Sequence, residues 1–216
     1  MNTDFARRQM VEQQIRTWDV LDPGILRAFN AVSREEFVPE ECAHVAYADT
    51  EIPLPHGQCM LRPNIDGKIL QALEIRPGDD VLEIGTGTGY LTACLAEIAG
   101  FVTSIDIFDD FVAMARKKLA DTGIDNVSLH CMDALAELPE GQFDAIAVTG
   151  SVAEVDKRFI EALQPGGRLF VVVGESPLMR AMLITRNPHG GEQVADLFET
   201  DIPPLVSARK PPVFSF

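Results

Sequence analysis

Residues 81–90 read V-L-E-I-G-T-G-T-G-Y, and no other stretch constrains the chain as strongly. A short run with the character of a buried strand leads straight into glycines at 85, 87 and 89. Glycine has no Cβ and reaches backbone conformations closed to other residues. Such a loop therefore lets main chain pass close to a ligand at the N-terminus of the following helix. The spacing is G-x-G-x-G, tighter than the G-x-G-x-x-G that suits a dinucleotide pyrophosphate. Glu83, just before the loop, favours a cationic or amino-bearing ligand over a diphosphate.

Further strand and helix signals alternate after this unit. Short apolar strands are expected at 81–84, 101–105, 127–130, 145–149 and 169–173. Helices are expected from the glycine loop through Ala99, over 111–120, and over 159–163, the last stopped by Pro165-Gly166-Gly167. This order predicts an α/β fold with a doubly wound, mostly parallel sheet of Rossmann-like class. Ligands of such sheets bind beyond the carboxyl ends of the strands, so functional residues should follow strands. Upstream, 4–17 reads as an amphipathic helix carrying Phe5, Met10, Val11 and Ile15. A second helix begins after Asp22-Pro23 and buries Ile25, Leu26 and Phe29. Residues 47–63 hold three prolines and a glycine and read as extended loop. Ile65, Ile69, Leu70 and Leu73 then form a helical stripe that ends at Pro77-Gly78-Asp79. The chain divides into an N-terminal helical and loop extension, 1–63, and a sheet-bearing core, 64–216, within one compact domain.

Acids follow the strands. Asp106 lies 17 residues after Gly89 and ends the second strand, where a carboxylate can accept hydrogen bonds from both hydroxyls of a ribose. Asp133 follows the third strand and can meet an adenine amino group, whereas Asp144, before the fourth, reads as a turn or cap residue. Residues 79–156 hold 15 acids and 3 bases, so 12 of the 15 net negative charges sit there. That suits a cofactor bearing sulfonium and ammonium charges better than one bearing phosphates. With 18 Lys and Arg against 33 Asp and Glu, sequence-independent binding to nucleic acid or to an anionic membrane is not expected. The longest apolar run is five residues, against roughly 20 needed to span a bilayer. The first residues lack the apolar stretch of a signal peptide, and a cytoplasmic location is expected. Four cysteines and four histidines are scattered without C-x-x-C or H-E-x-x-H spacing, so free thiols and no metal site are expected.

Taken with its surroundings, the glycine segment V-L-E-I-G-T-G-T-G-Y-L-T-A resembles that of the class I S-adenosylmethionine-dependent methyltransferases, as do Asp106, F-D-A-I-A-V-T and L-Q-P-G-G-R-L. Four more segments narrow the resemblance: A-V-S-R-E-E-F-V-P at 31–39, A-Y-A-D at 46–49, P-L-P-H-G-Q at 53–58 and P-P-L-V at 203–206. Together they are similar to the protein-L-isoaspartate O-methyltransferases over nearly the whole chain. The resemblance implies S-adenosyl-L-methionine as cofactor, held by Glu83, Gly85, Gly87, Gly89, Asp106, Ile107, Asp133, Ala134 and Thr149. It implies damaged protein or peptide as acceptor, methylated on the isoaspartyl carboxylate. That carboxylate is itself the nucleophile, so catalysis is mainly orientation and desolvation.

The acceptor loop departs from the family pattern. Where the family reads G-Q-T-I-S-x-P, this chain reads G-Q-C-M-L-R-P, with Cys59 for threonine and Leu61 for the serine beside the reacting groups. Asp133-Ala134 replaces Asp-Gly, and Val172 replaces a proline. Leucine donates no hydrogen bond. Losing a charge-assisted one costs about 1.5–3 kcal/mol, roughly 10- to 150-fold in rate. Cys59 reads as a small buried residue, and Arg62 is a candidate clamp for an anionic acceptor. Tyr47 and Asp49 shape the loop, and Trp18 reads as a packing or lid residue. A small-molecule acceptor and a non-catalytic cofactor-binding adapter stand as alternatives.

Overall fold

The computed structural model describes residues 3–208, so the ends of the extension and of the core, 1–2 and 209–216, lie outside the described residues. The helices are α1 (Thr3–Met10), α2 (Pro23–Ala31), α3 (Pro63–Leu73), α4 (Tyr90–Ala96), α5 (Asp109–Asp121) and α6 (Lys157–Glu161). The strands are β1 (Ile52–Pro53), β2 (Cys59–Met60), β3 (Asp80–Ile84), β4 (Phe101–Asp106) and β5 (Val127–Cys131), then β6 (Phe143–Val152), β7 (Leu163–Glu175), β8 (Leu178–Arg186) and β9 (Glu192–Thr200). Helix α1 runs on as a π-turn, Val11–Ile15, and a 3-10 turn, Arg16–Trp18, which together fill the expected helix 4–17. The cap of α2 is as its sequence predicts. Asp22 Oδ1 accepts from the amides of Gly24 (2.7 Å) and Ile25 (3.1 Å), with Pro23 at the first helical position.

The large sheet has seven strands in the order β5-β4-β3-β6-β7-β8-β9. The first five are parallel, as expected, and β8 and β9 add an antiparallel edge that the strand–helix alternation does not announce. The ladder of β7 also begins earlier than expected. Leu163 pairs with Phe143, and the Pro165-Gly166-Gly167 turn is a bulge inside the ladder rather than a helix stop before it. Chain order reverses between β3 and β6, which puts the switch point of the sheet at the end of β3.

Side chains alternate across the parallel strands. Val81, Val102, Ala145, Ala147, Phe170 and Val172 face the layer built by α2–α5. Leu82, Ile105, Ile146, Val148, Leu169 and Val171 face the other way, under Phe159 of α6 and Ala134. Strands buried on both faces are mainly apolar, with buried Glu83 and Ser104 among the exceptions, which is why their periodicity is weak but their position is plain. Met10, Phe29, Phe37 and Ile52 share the first cluster with Val81 and Phe170, so extension and sheet have a common core. Among the described residues no helix is long and apolar enough to cross a membrane.

Candidate active site

A cavity opens beyond the carboxyl ends of β3 and β4, at the switch point. Its floor is the glycine loop from Gly85 to Thr88, and one wall is built by Asp106–Phe108, Met132–Ala134, Thr149 and Gly150. The opposite wall comes from Leu54, Gln58–Leu61 and the Pro203–Ser207 segment. Four carboxyl groups line it, Asp66, Glu83, Asp106 and Asp133, and among its described lining residues there is no Lys or Arg.

The acids are held by different means. Asp106 accepts from Gly87 N–H (2.9 Å) on one oxygen and from Phe108 N–H (3.0 Å) on the other. Each oxygen keeps a second lone pair, so the same carboxylate that fixes the glycine loop can still accept from a ligand diol. Burial pushes its pKa up against the pull of those amides. Asp133 Oδ1 caps the turn that follows by accepting from Leu135 N–H (2.9 Å). Glu83 is fully buried, and its Oε2 accepts from Ser104 Oγ (2.6 Å) and from the hydroxyl of Thr92. Thr86 Oγ1 extends this chain, 2.6 Å from Ser104 Oγ. Its Oε1 has no partner, and burial raises the Glu83 pKa to about 8. Thr149 Oγ1 bonds the carbonyls of Ile84 (3.0 Å) and Gly85 (2.9 Å) and so braces the start of the glycine loop.

Gly87 (φ +52°) would point a Cβ into the cavity, where the nearest atom is Leu54 Cδ1 at 3.9 Å. Gly89 is different. Its Cβ would meet Ala115 Cβ at 3.0 Å and Cα at 3.3 Å, so it serves the packing of α4 on α5 and is not on the cavity wall. Arg62 is not on the wall either. Its guanidinium pairs with Glu51 at 3.6 Å on the rim. Leu61 and Cys59 do line the cavity, and the Cys59 thiol is pushed up to about 12 by burial, with Glu51 and Asp66 adding to the effect. It stays protonated at neutral pH and is no nucleophile. Trp18 is 42% exposed and away from the wall, while Tyr47 hydrogen-bonds Glu35 below the loop. Asp144 Oδ2 accepts from Asp80 N–H (2.9 Å), the cap-like role expected of it.

Sequence reasoning did not single out Arg34 and Asp66. Arg34 has no exposed surface. It donates to Asp66 Oδ2 (2.9 Å) and to the Leu61 carbonyl (2.6 Å), and lies over the Tyr90 ring at 4.5 Å. It thereby anchors the end of the acceptor loop. Burial raises the pKa of Asp66 to about 7, opposed by Arg34. A charge within the apolar stripe of α3 was the available signal, but its partner lies 32 residues away in sequence. The four cysteines are unpaired, and among the described residues no cluster of His, Cys, Asp and Glu could hold a metal.

Comparison with known proteins gives a consistent picture. The family model described as protein-L-isoaspartate(D-aspartate) O-methyltransferase matches residues 6–210. A protein-L-isoaspartate O-methyltransferase of Opitutus terrae is 35% identical over 204 residues, covering 94% of this chain and 88% of that protein. Its counterpart in Methanoculleus marisnigri is 40% identical over 178 residues, 81% of each chain. A Plasmodium falciparum chain assigned to the same activity, crystallised with S-adenosyl-L-homocysteine, shares the fold. Its TM-score is 0.80 at 21% identity, over 95% of this chain and 98% of that one. The match runs unbroken from the N-terminal helices through the glycine loop to the Pro203–Ser207 wall, and the chain belongs to the protein-L-isoaspartate(D-aspartate) O-methyltransferase family.

Proposed function

We propose that the cavity binds S-adenosylmethionine and that the protein methylates the free carboxylate of isoaspartyl residues in damaged proteins. The observation that carries this reading is a wall of four carboxyl groups without a Lys or Arg, set on a glycine loop at the switch point. With Asp66 answered by Arg34, the carboxyl groups left to a ligand are Glu83, Asp106 and Asp133, which offer acceptors to an amino group and hydroxyls and no cation to a phosphate. The residues fit such a cofactor. Glu83 Oε1 is buried beside the cavity without a partner, and the space over Gly87 is open. When bound, the cofactor supplies an electrophilic methyl group.

This chain's residues bind and orient. Glu83 would hold the amino group with a carboxyl whose pKa burial raises and whose charged form a neighbouring cation would favour. Asp106 would accept from the ribose hydroxyls, held in place by its two backbone donors. Asp133, Ala134 and Ile107 would hold the base, and Gly85 and Thr149 set the loop. On the acceptor side, Met60 and Leu61 exclude water from the reacting carboxylate, which raises its nucleophilicity without an added base. In this division 1–63 supplies the acceptor loop, and 64–216 the cofactor site with the Pro203–Ser207 part of the acceptor wall. An apolar wall in place of a serine also suits a small acceptor with an apolar body, which makes that the second reading.

Transfer of labelled methyl from S-adenosylmethionine to paired peptides tests the proposal. Isoaspartyl peptide should be labelled and its normal aspartyl twin should not, because only the rearranged linkage presents a free α-carboxylate. Equal labelling of both, or of neither with cofactor bound, would shift the assignment to a small-molecule acceptor.

A further inference from the structure

His56 sits at the tip of the turn between β1 and β2, with φ +60°. That left-handed backbone is uncommon outside glycine, and histidine is among the residues that tolerate it. Its imidazole lies flat on Phe108, with ring centroids 3.9 Å apart and planes 8° from parallel. It meets Phe111 edge-on at 5.4 Å. Its Nε2 lies 2.9 and 3.1 Å from the two carboxylate oxygens of Asp110, in the first turn of α5. The hydrogen bond to His56 holds the Asp110 carboxyl below its ordinary range.

His56 is not on the cavity wall, but its neighbours Leu54 and Gln58 are, and so are the rings it touches, Phe108 and Phe111. The turn thus ties the acceptor wall to the element that follows Asp106 on the cofactor wall. The other end of the acceptor loop is anchored by Arg34 at Leu61. The His56 and Asp110 side chains are 38% and 57% exposed, so their contact can break without opening the core.

We infer that His56 is a positioning residue that, through Phe108 and Asp110, clasps the acceptor loop 54–61 to the cofactor wall and so sets both acceptor placement and the rate of cofactor-product release. This rests on the cavity being the methyl-transfer site. The His56 side chain bridges the turn to Phe108 and Asp110, and the loop is held against the cofactor wall while those contacts last.

The test compares wild type with His56→Ala, His56→Phe and Asp110→Asn. It reads amide exchange of residues 52–61 in the cofactor-free protein, the dissociation rate of S-adenosylhomocysteine, and KM and kcat for an isoaspartyl peptide. In His56→Ala, exchange should quicken across 52–61. Release and acceptor KM should each rise about 5- to 20-fold, the factor that an aromatic pair with one hydrogen bond carries, and kcat should change less. His56→Phe keeps the stack and should recover most of the loss, and Asp110→Asn should fall between. A His56→Ala protein with wild-type release and KM overturns the clasp, even if exchange quickens, because the turn is then only structural. Failure of the wild type itself to bind S-adenosylhomocysteine overturns the site reading and the clasp with it.

Discussion

At Glu83 burial and function pull against each other. Its pKa rises from the ordinary 4.5 to about 8 in the folded chain, with desolvation the leading cause. Below pH 4.5 both states are protonated and stability is full. Between there and pH 8 only the unfolded chain ionises, so stability falls as pH rises through that window. Glu83→Gln removes this dependence. Calorimetry should show the wild-type midpoint dropping between pH 5 and pH 8 by roughly 3–8 °C more than that of the variant, the equivalent of about 1–3 kcal/mol. Parallel pH profiles would mean that Glu83 titrates normally. The same variant should bind S-adenosylhomocysteine more weakly, because an amide NH2 then stands where the buried, partnerless oxygen could accept from the ligand's amino group. Leu61 gives the complementary case, since it lines the cavity with a side chain that donates no hydrogen bond. Leu61→Ser should speed methylation of an isoaspartyl peptide about tenfold, the lower end of what one charge-assisted donor contributes. A folded variant no faster than wild type would show that the chain orients its acceptor by other contacts.

Two glycines of one loop, two residues apart, separate binding from packing. Gly87→Val places its side chain in the cavity and should abolish S-adenosylhomocysteine binding in titration calorimetry, at the moderate stability cost of a left-handed φ. Gly89→Val drives a side chain into Ala115 of α5. It should cost at least about 1 kcal/mol more, a further 2–4 °C in midpoint. The reverse order of midpoints would reverse the two roles. Sequence periodicity could not make this distinction, because both glycines belong to one motif and the contact with α5 lies 26 residues on. The parallel strands and their glycine loop were legible because a strand, a loop and a helix are local patterns. The antiparallel edge was not. Strand β9 is exposed along most of its length, and without a buried face its residues carry little alternation to read. The clasp of His56 on Asp110 and the pair of Arg34 with Asp66 span 54 and 32 residues, and each joins groups that look solvated in sequence. Long-range partners of charged side chains are set by the packing of elements, which local pattern does not encode.

Charge acts over the whole molecule. The chain carries −15, and four carboxyl groups line the cavity while the nearby Arg62 is already paired with Glu51. An acceptor that brings its own carboxylate to this mouth approaches against the field, and flanking acids in the peptide add to the repulsion. Flanking lysines should offset it. Isoaspartyl peptides of equal length bearing net charges of about +2 and −2 should therefore differ in kcat/KM by roughly tenfold in 10 mM salt, where the screening length is about 30 Å. In 1 M salt that length falls to about 3 Å, and the two peptides should converge to within about twofold. The difference should lie in KM, because the field acts on encounter and binding, whereas on the proposed reading the chemical step is covered by Met60 and Leu61. A preference that persists at high salt would place a specific acidic contact on the peptide. A preference for the acidic peptide would mean that a cation outside the lining residues, such as Arg62 released from Glu51, receives the acceptor.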